Sequence, residues 1–223
     1  MTYILNIETA TKNCSVALGK DQAVIDVIEY AGEGYSHAEK LHVFIQRLLE
    51  KNNIKPTDLS AVSISQGPGS YTGLRIGVSA AKGLAYALDI PLMAVSTLEA
   101  LARKVKEKDD VYIIPLIDAR RMEVYSAVYD QNYNLIRKVE ANLLEEQPFN
   151  KYLNEKKVIF IGDAVPKTKK IIKHSNAIFV ENQLPSAREQ HITGHQKFKT
   201  KDFENTAYFE PYYLKDFIAT KKK

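Results

Sequence analysis

The sequence has little of what builds covalent cross-links, metal clusters or a strongly charged surface. Its single cysteine, Cys14, excludes an internal disulfide and any zinc or iron–sulfur site made from several cysteines. A net charge of +4, from 31 basic and 27 acidic residues, is too small to indicate a nucleic-acid-binding protein. No apolar run approaches the roughly 20 residues that span a membrane, and no leader-like segment precedes the first strand pattern. We therefore expect a cytoplasmic protein without a membrane anchor.

The length and the balance of hydrophobic and charged residues indicate a folded chain of two small domains. Hydrophobic residues make up 45% and charged residues 26% of the 223 residues, which is the balance of a globular protein. This length exceeds what one minimal domain needs and suffices for two.

The first hundred residues predict a mixed sheet with two helices. Three adjacent segments rich in β-branched residues and joined by tight turns indicate an antiparallel meander. Strands then alternate with helices, which indicates parallel additions to the same sheet. The predicted strands cover residues 3–8, 13–19, 23–30, 61–65 and 92–95, and the predicted helices cover residues 36–51 and 72–88. Ser36 and Glu39 form a candidate capping box for the first helix.

A charged stretch at residues 103–110 indicates a domain boundary, after which the same pattern begins again. Strands are predicted at residues 111–117, 123–129, 135–140, 158–161 and 177–180, with a helix at 165–174. The expected fold class is therefore α/β, with two lobes that each contain a mixed sheet and flanking helices. The predicted lobes are residues 1–102 and 103–207, of which 181–207 is polar and weakly patterned. Residues 208–223 are expected to form a docking segment, Phe209–Leu214, and a frayed tail, Lys221–Lys223.

A glycine-rich segment, Gln66–Arg75, lies between a predicted strand and a predicted helix. Backbone amides of Gly67, Gly69 and Ser70 at a helix start could hold a phosphate. However, no Lys-Ser/Thr pair follows, and the spacing does not match a dinucleotide-binding motif. A tight turn with a helix cap explains the same residues and is the favoured interpretation.

Glu8 and Asp118 end corresponding strands of the two lobes, where a two-lobed kinase or ATPase carries metal-binding carboxylates. This placement keeps open an alternative function as a nucleotide-dependent phosphotransferase or ATPase. Against it, the hairpin after Glu8 contains no glycine, and Arg120 and Arg121 fill the space that phosphates need. The candidate nucleotide-binding residues are Glu8, Thr9, Thr11, Gly67, Gly69 and Ser70.

The predicted helix 72–88 is apolar over most of its circumference. At about 100° per residue, its polar side chains (Arg75, Ser79, Lys82 and Tyr86) form one stripe roughly 60° wide. Small residues recur every four positions through the apolar arc, at Gly73, Gly77, Ala81 and Ala85. A surface helix needs an apolar stripe of about 100°. The excess indicates either a partner helix or complete burial within the chain's own lobe.

The histidines do not indicate a metal site. His37 lies on the apolar stripe of the first helix, and His42 lies about 140° away from it around the helix. His191 and His195 have the i, i+4 spacing of a zinc-binding helix, which would suit a peptidase, but no third ligand or catalytic Glu accompanies them. We expect His191 and His195 to be surface residues, Cys14 to be a small core residue, and no metal or cofactor to be bound.

Several segments together resemble the TsaB (YeaZ) family, the partner subunits of the bacterial enzyme that makes threonylcarbamoyladenosine in tRNA. The specific matches are residues 4–11, 67–77, 81–85 and 95–101, and looser matches follow at 115–125 and 160–164. The resemblance implies the actin-like (ribonuclease H-like) fold of sugar kinases and heat-shock ATPases, with two lobes.

The resemblance also implies that the chain is not an enzyme. The catalytic sister family, TsaD, has the same glycine loop and helix, followed by a Val-His-His-Met-Glu-Gly-His segment whose histidines hold the active-site metal. That segment corresponds here to residues 95–101, and its ligand positions are occupied by Thr97 and Leu101. Threonine is a poor ligand and leucine has no donor atom.

The partners that the resemblance implies are a TsaD-like catalytic subunit, a TsaE-like ATPase, and a second copy of the chain when TsaD is absent. tRNA is expected to be contacted only through the complex, since the basic stretches 167–173 and 221–223 are typical of solvated surfaces. Pairing would occur through the two helices of the first lobe. The predicted interface residues are His37, Leu41, Val43, Gly73, Leu74, Gly77, Val78, Ala81 and Ala85.

Overall fold

The computed structural model describes residues 1–32 and 37–215, which form two five-stranded sheets with flanking helices. The first sheet contains β1 (Tyr3–Glu8), β2 (Asn13–Lys20), β3 (Ala23–Ala31), β4 (Ala61–Gly67) and β5 (Leu92–Ser96). Its order is β3-β2-β1-β4-β5, with antiparallel pairing from β3 to β1 and parallel pairing from β1 to β5. The helices α1 (His37–Lys51), α2 (Tyr71–Leu88) and α3 (Thr97–Ala102) accompany it.

The second sheet repeats this topology. It contains β6 (Tyr112–Asp118), β7 (Glu123–Asp130), β8 (Leu135–Leu143), β9 (Val158–Gly162) and β10 (Ala177–Val180), in the order β10-β9-β6-β7-β8. The short helices α4 (Asn150–Glu155) and α5 (Val165–Ile171) accompany it, and α6 (Ala187–Thr200) follows β10. The predicted α/β fold of two lobes, each with a mixed sheet and flanking helices, is confirmed.

The helix α6 packs on a different lobe from the one that the sequence pattern predicts. The sequence pattern places residues 103–207 in the second lobe, but α6 packs on the first sheet, on the face opposite α1 and α2. Phe198 joins a cluster with Ile4, Ala61 and Met93. Gly194 approaches the sheet so closely that an added Cβ would lie 2.9 Å from Ser63 Oγ. The helix α6 therefore forms a third layer on the first sheet.

The two lobes are joined through α3, which the sequence pattern did not reveal. Leu98 and Leu101 of α3 pack in one cluster with Ile113 and Ile161 of the second sheet. The Glu99 carboxylate of α3 accepts hydrogen bonds from Arg103 and, at 2.6 Å, from Thr193 of α6. One short helix thus contacts both the second sheet and α6.

The remaining differences are small. The predicted strand boundaries agree with the structure within a few residues, α5 ends at Ile171 instead of residue 174, and α4 was not predicted. The proposed Ser36 cap and the Lys221–Lys223 tail lie outside the described residues. None of the helices in the described ranges is both long and apolar enough to cross a membrane.

Candidate functional site

The stripe of small residues on α2 faces the protein's own core. A Cβ at Gly77 would overlap Thr9 Oγ1, and one at Gly73 would overlap the Thr9 carbonyl oxygen. Thr9 Oγ1 also donates a 2.8 Å hydrogen bond to the Gly73 carbonyl oxygen. Ala81 and Ala85 are buried on the same side. The small residues let α2 approach the β1–β2 connection, so the prediction that this stripe contacts a partner is wrong.

Most of the other predicted interface residues are buried as well. Leu74 and Leu41 are fully buried, and Val78 is nearly so. His37 is buried at the start of α1, where its Nε2 donates to the Thr11 carbonyl oxygen at 2.8 Å, and burial lowers its pKa. Among the predicted interface residues only Val43 is exposed, at 41%.

A different surface of the same two helices is open. A groove of about 610 Å³ runs between α1 and α2, and we call it the α1–α2 groove. Its lining residues are Ala38 and His42 from α1, and Arg75, Ile76, Ser79, Ala80, Gly83 and Leu84 from α2. A Cβ at Gly83 would meet nothing within 4 Å, so another backbone could approach the helix there.

The sequence contained a signal for this groove. Ile76, Ala80 and Leu84 are spaced i, i+4 and i+8, which places them on one face of the helix. They form a second apolar row beside the small stripe. The helix is apolar on two sides, as predicted, but the small stripe faces the β1–β2 connection, and the Ile76 row, which packs partly against the core of the first lobe, borders the groove.

The polar stripe of α2 holds the C-terminal segment 203–215, which we call the C-terminal strap. Lys82 Nζ donates to the carbonyl oxygens of Ala207, at 3.1 Å, and Phe209, at 2.9 Å. The Tyr212 amide donates to the Gln66 carbonyl oxygen at 2.7 Å. Arg75 Nε donates to Tyr213 Oη at 3.2 Å. The aromatic segment Phe209–Leu214 lies in this strap, and Phe209 packs against the core of the first lobe.

The glycine loop forms a closed turn with a helix cap. Ser70 is the N-cap of α2, and its Oγ accepts from the Gly73 amide at 3.3 Å. Gly67 has a φ of +114°, and the Gly67–Pro68 peptide is cis. A Cβ at Gly69 would overlap the Ala10 carbonyl oxygen, and one at Gly67 would lie 2.7 Å from the Tyr212 carbonyl oxygen. The β1–β2 connection and the strap therefore cover the loop, and no open phosphate cradle exists there.

The other predicted nucleotide-binding residues are also buried. Glu8, Thr9 and Thr11 are nearly or fully inaccessible. Glu8 Oε1 accepts from the Ala10 amide at 2.6 Å, and burial raises the pKa of this carboxyl to about 7. In the second lobe, Lys167 Nζ pairs with the Asp118 carboxylate at 2.5 Å. This arrangement does not favour the nucleotide-dependent phosphotransferase alternative.

The histidines of α6 are core residues, which corrects the expectation that they lie on the surface. His191 is fully buried. Its Nδ1 accepts from the side-chain amide of Asn6 at 3.2 Å, and its Nε2 donates to the Asp21 backbone carbonyl oxygen at 3.0 Å. His195 is 7% exposed, and its ring lies tilted beside that of His191, with 5.9 Å between the ring centres. Within residues 1–32 and 37–215, no three His, Cys, Asp or Glu side chains could together hold a metal ion. Cys14 is buried and free, as predicted.

The positions that correspond to metal ligands in the sister family lie on α3. Thr97 and Leu101 are both fully buried, and Leu101 packs in the cluster that joins the two lobes. The Thr97 hydroxyl has no hydrogen-bond partner among the described residues. Neither side chain faces an open site that could hold a substrate.

Comparison with known proteins agrees with this architecture. A family model described as "TsaD: tRNA N6-adenosine threonylcarbamoyltransferase" matches residues 34–223. The tRNA threonylcarbamoyladenosine biosynthesis protein TsaB of Escherichia coli is 31% identical over 98% of this chain and 97% of its own length. TsaB of Bacillus subtilis is 40% identical over 61% of this chain, and the match spans 58% of that protein.

A solved structure supports the same assignment. YeaZ from Pseudomonas aeruginosa superposes with a TM-score of 0.83, at 25% identity, over 96% of this chain and the whole of that chain. Both lobes are therefore shared with YeaZ. The similarity to the E. coli protein extends over nearly the full length of both chains, and on this ground the chain belongs to the TsaB family.

Proposed function

We propose that this chain acts in the biosynthesis of threonylcarbamoyladenosine in tRNA, as a non-catalytic subunit that docks a TsaD-type catalytic subunit through the α1–α2 groove. The catalytic subunit would transfer the threonylcarbamoyl group to N6 of the adenosine next to the anticodon. The observation that carries this proposal is the α1–α2 groove, which is lined by the partly exposed Ile76 and Leu84 of a helix that packs its small stripe within its own lobe. The pathway in this proposal is inferred from the chain's membership of the TsaB family.

The docking face is formed by small and aliphatic side chains. Ile76 and Leu84 are half-buried, Ala80 is 8% exposed, and Gly83 is open. Val43 of α1 adds exposed apolar area on the same pair of helices. Burial of such a surface against a helix of another subunit would remove apolar area from water, at roughly 25 cal/mol per Å². The close backbone approach at Gly83 suits helix-to-helix packing.

The side chains at the positions that bind metal in the sister family support a non-catalytic role. Thr97 and Leu101 cannot replace imidazole ligands, since one is a weak neutral donor and the other has none. Both are buried, so a metal would also have to displace core packing. The chain's contribution is therefore structural: it binds and orients the subunit that carries the active site.

The further partners follow from the same role. In the absence of the catalytic subunit, a second copy of the chain would cover the groove. A TsaE-like ATPase would join the complex of the two subunits, and tRNA would be bound chiefly by the catalytic subunit. The complex would work in the cytoplasm, where tRNA is modified.

The test is an affinity measurement with the TsaD-type subunit of the same organism. Gly83→Trp attaches a large side chain at a groove position where an added Cβ meets nothing within 4 Å, so the fold should survive while association falls at least about tenfold. Asn154→Trp, at an exposed position of α4 in the second lobe, is the matched control and should bind normally. Normal binding by a folded Gly83→Trp variant would contradict the proposed face.

A further inference from the structure

Arg75 is the charged side chain at the rim of the α1–α2 groove. It is exposed, and no carboxylate in the described part of the chain pairs with it. The described residues that line the groove include the cationic Arg75 and no acidic side chain. The groove thus combines an apolar floor with a positive rim.

The C-terminal strap holds Arg75 in place. Tyr213 Oη accepts from Arg75 Nε at 3.2 Å, and the guanidinium carbon lies 4.0 Å from the centre of the Tyr71 ring. The Tyr71 and Tyr213 rings are themselves 5.1 Å apart. The strap is fixed on both sides of this contact, by the Tyr212 amide and by Lys82. A guanidinium has five N–H donors, so one bond to Tyr213 leaves donors for an incoming carboxylate.

We infer that the groove selects a helix that carries a carboxylate opposite Arg75, and that Tyr213 of the strap is the positioning residue that orients Arg75 for it. The inference rests on the proposed function, and the occupant is the TsaD-type subunit. An arginine whose position is already fixed loses less side-chain freedom when it binds than a mobile one does.

A second copy of the chain is a poorer occupant for the same reason. In a symmetric dimer, the same patch of both chains meets at the interface. Two grooves would then place Arg75 of both chains at the same interface, without a carboxylate among the described lining residues. Like charges brought together at an interface weaken association and disfavour the wrong partner. Pairing with a helix that carries a carboxylate is therefore favoured over self-pairing by charge.

The two kinds of association should respond differently to salt. Raising the salt from about 0.05 M to about 0.5 M screens charges at the rim of an interface. The heterodimer should therefore weaken several-fold, and the homodimer should be unchanged or strengthened. A homodimer that weakens with salt as much as the heterodimer would overturn the selectivity.

Variants of Arg75 and Tyr213 test the assignment directly. Arg75→Ala should weaken binding of the TsaD-type subunit about tenfold at low salt and remove most of the salt dependence. Arg47→Ala removes the same charge from an exposed position of α1 outside the groove lining, and should leave binding and its salt dependence unchanged. Unfolding curves of each variant establish that the fold is intact.

A double-mutant cycle separates positioning from general packing. Tyr213→Phe keeps the ring and removes the hydroxyl, and should weaken binding about threefold. In the Arg75→Ala background the same change should have no further effect, because the interaction that it supports is already absent. Additive effects would overturn the positioning role. A heterodimer that forms normally with Arg75→Ala would overturn the inference and leave the proposed function intact, whereas failure of any heterodimer to form would overturn both.

Discussion

Replacing Gly77 by alanine should destabilise the chain, although alanine is the better helix former. The added Cβ would overlap Thr9 Oγ1, a buried atom that is hydrogen-bonded to the Gly73 carbonyl oxygen. Overpacking of this kind costs about 1–3 kcal/mol, and loss of the hydrogen bond costs about 1 kcal/mol more. The gain in helix propensity offsets about 1 kcal/mol. The free energy of unfolding should therefore fall by about 1–3 kcal/mol.

Gly83→Ala on the same helix is the matched comparison. A Cβ at position 83 meets nothing within 4 Å, so only the propensity gain applies and the free energy of unfolding should rise by about 0.5–1 kcal/mol. Urea unfolding followed by circular dichroism measures both changes, with the slope compared between variants. The reasoning is refuted if Gly77→Ala is as stable as the unmodified chain, or if Gly83→Ala is the less stable of the two.

Two further changes test the buried carboxyl and the position of α6. Burial raises the pKa of Glu8 from 4.5 to about 7, so the folded chain holds a proton that the unfolded chain releases. The stability that this group contributes is complete below about pH 4.5 and is lost as the pH rises to about 7, a loss on the order of 3 kcal/mol. In urea unfolding, Glu8→Gln should flatten this fall of the unfolding free energy with pH. An unchanged pH profile would contradict the raised pKa of Glu8. Phe198→Ala should cost about 2–3 kcal/mol through lost packing on Ile4 and Met93, and unchanged stability would contradict the assignment of α6 to the first lobe.

The strands of both lobes could be predicted because they are short, β-branched and separated by turns. α6 could not, because its sequence gives little sign of the face that it buries. His191 and Gln190 are polar, yet both are buried and make hydrogen bonds to groups of the first lobe. Gly194 is unfavourable in a helix, but here it permits close contact with the sheet. Which face of such a segment is buried depends on packing partners that are far away in sequence.

The candidate site was predicted in part. The pattern of α2 indicates two apolar sides, but a helical wheel does not show which side meets the chain's own sheet. Small residues every four positions suit close packing on a partner helix and equally on the β1–β2 connection, where Gly77 lies against Thr9. Only the tertiary structure shows that the connection occupies that space and that the Ile76 row borders the groove. The docking of Tyr213 on Arg75 joins residues 138 positions apart in sequence, beyond any local pattern.

The most direct test of the account is threonylcarbamoyl transfer to tRNA by purified subunits. We predict no transfer by this chain alone, with or without added divalent metal, and transfer by the TsaD-type subunit, together with the ATPase, only when this chain is present. Gly83→Trp should fail to support the reaction, and Asn154→Trp should support it. Transfer by this chain in the absence of the TsaD-type subunit would contradict the central claim.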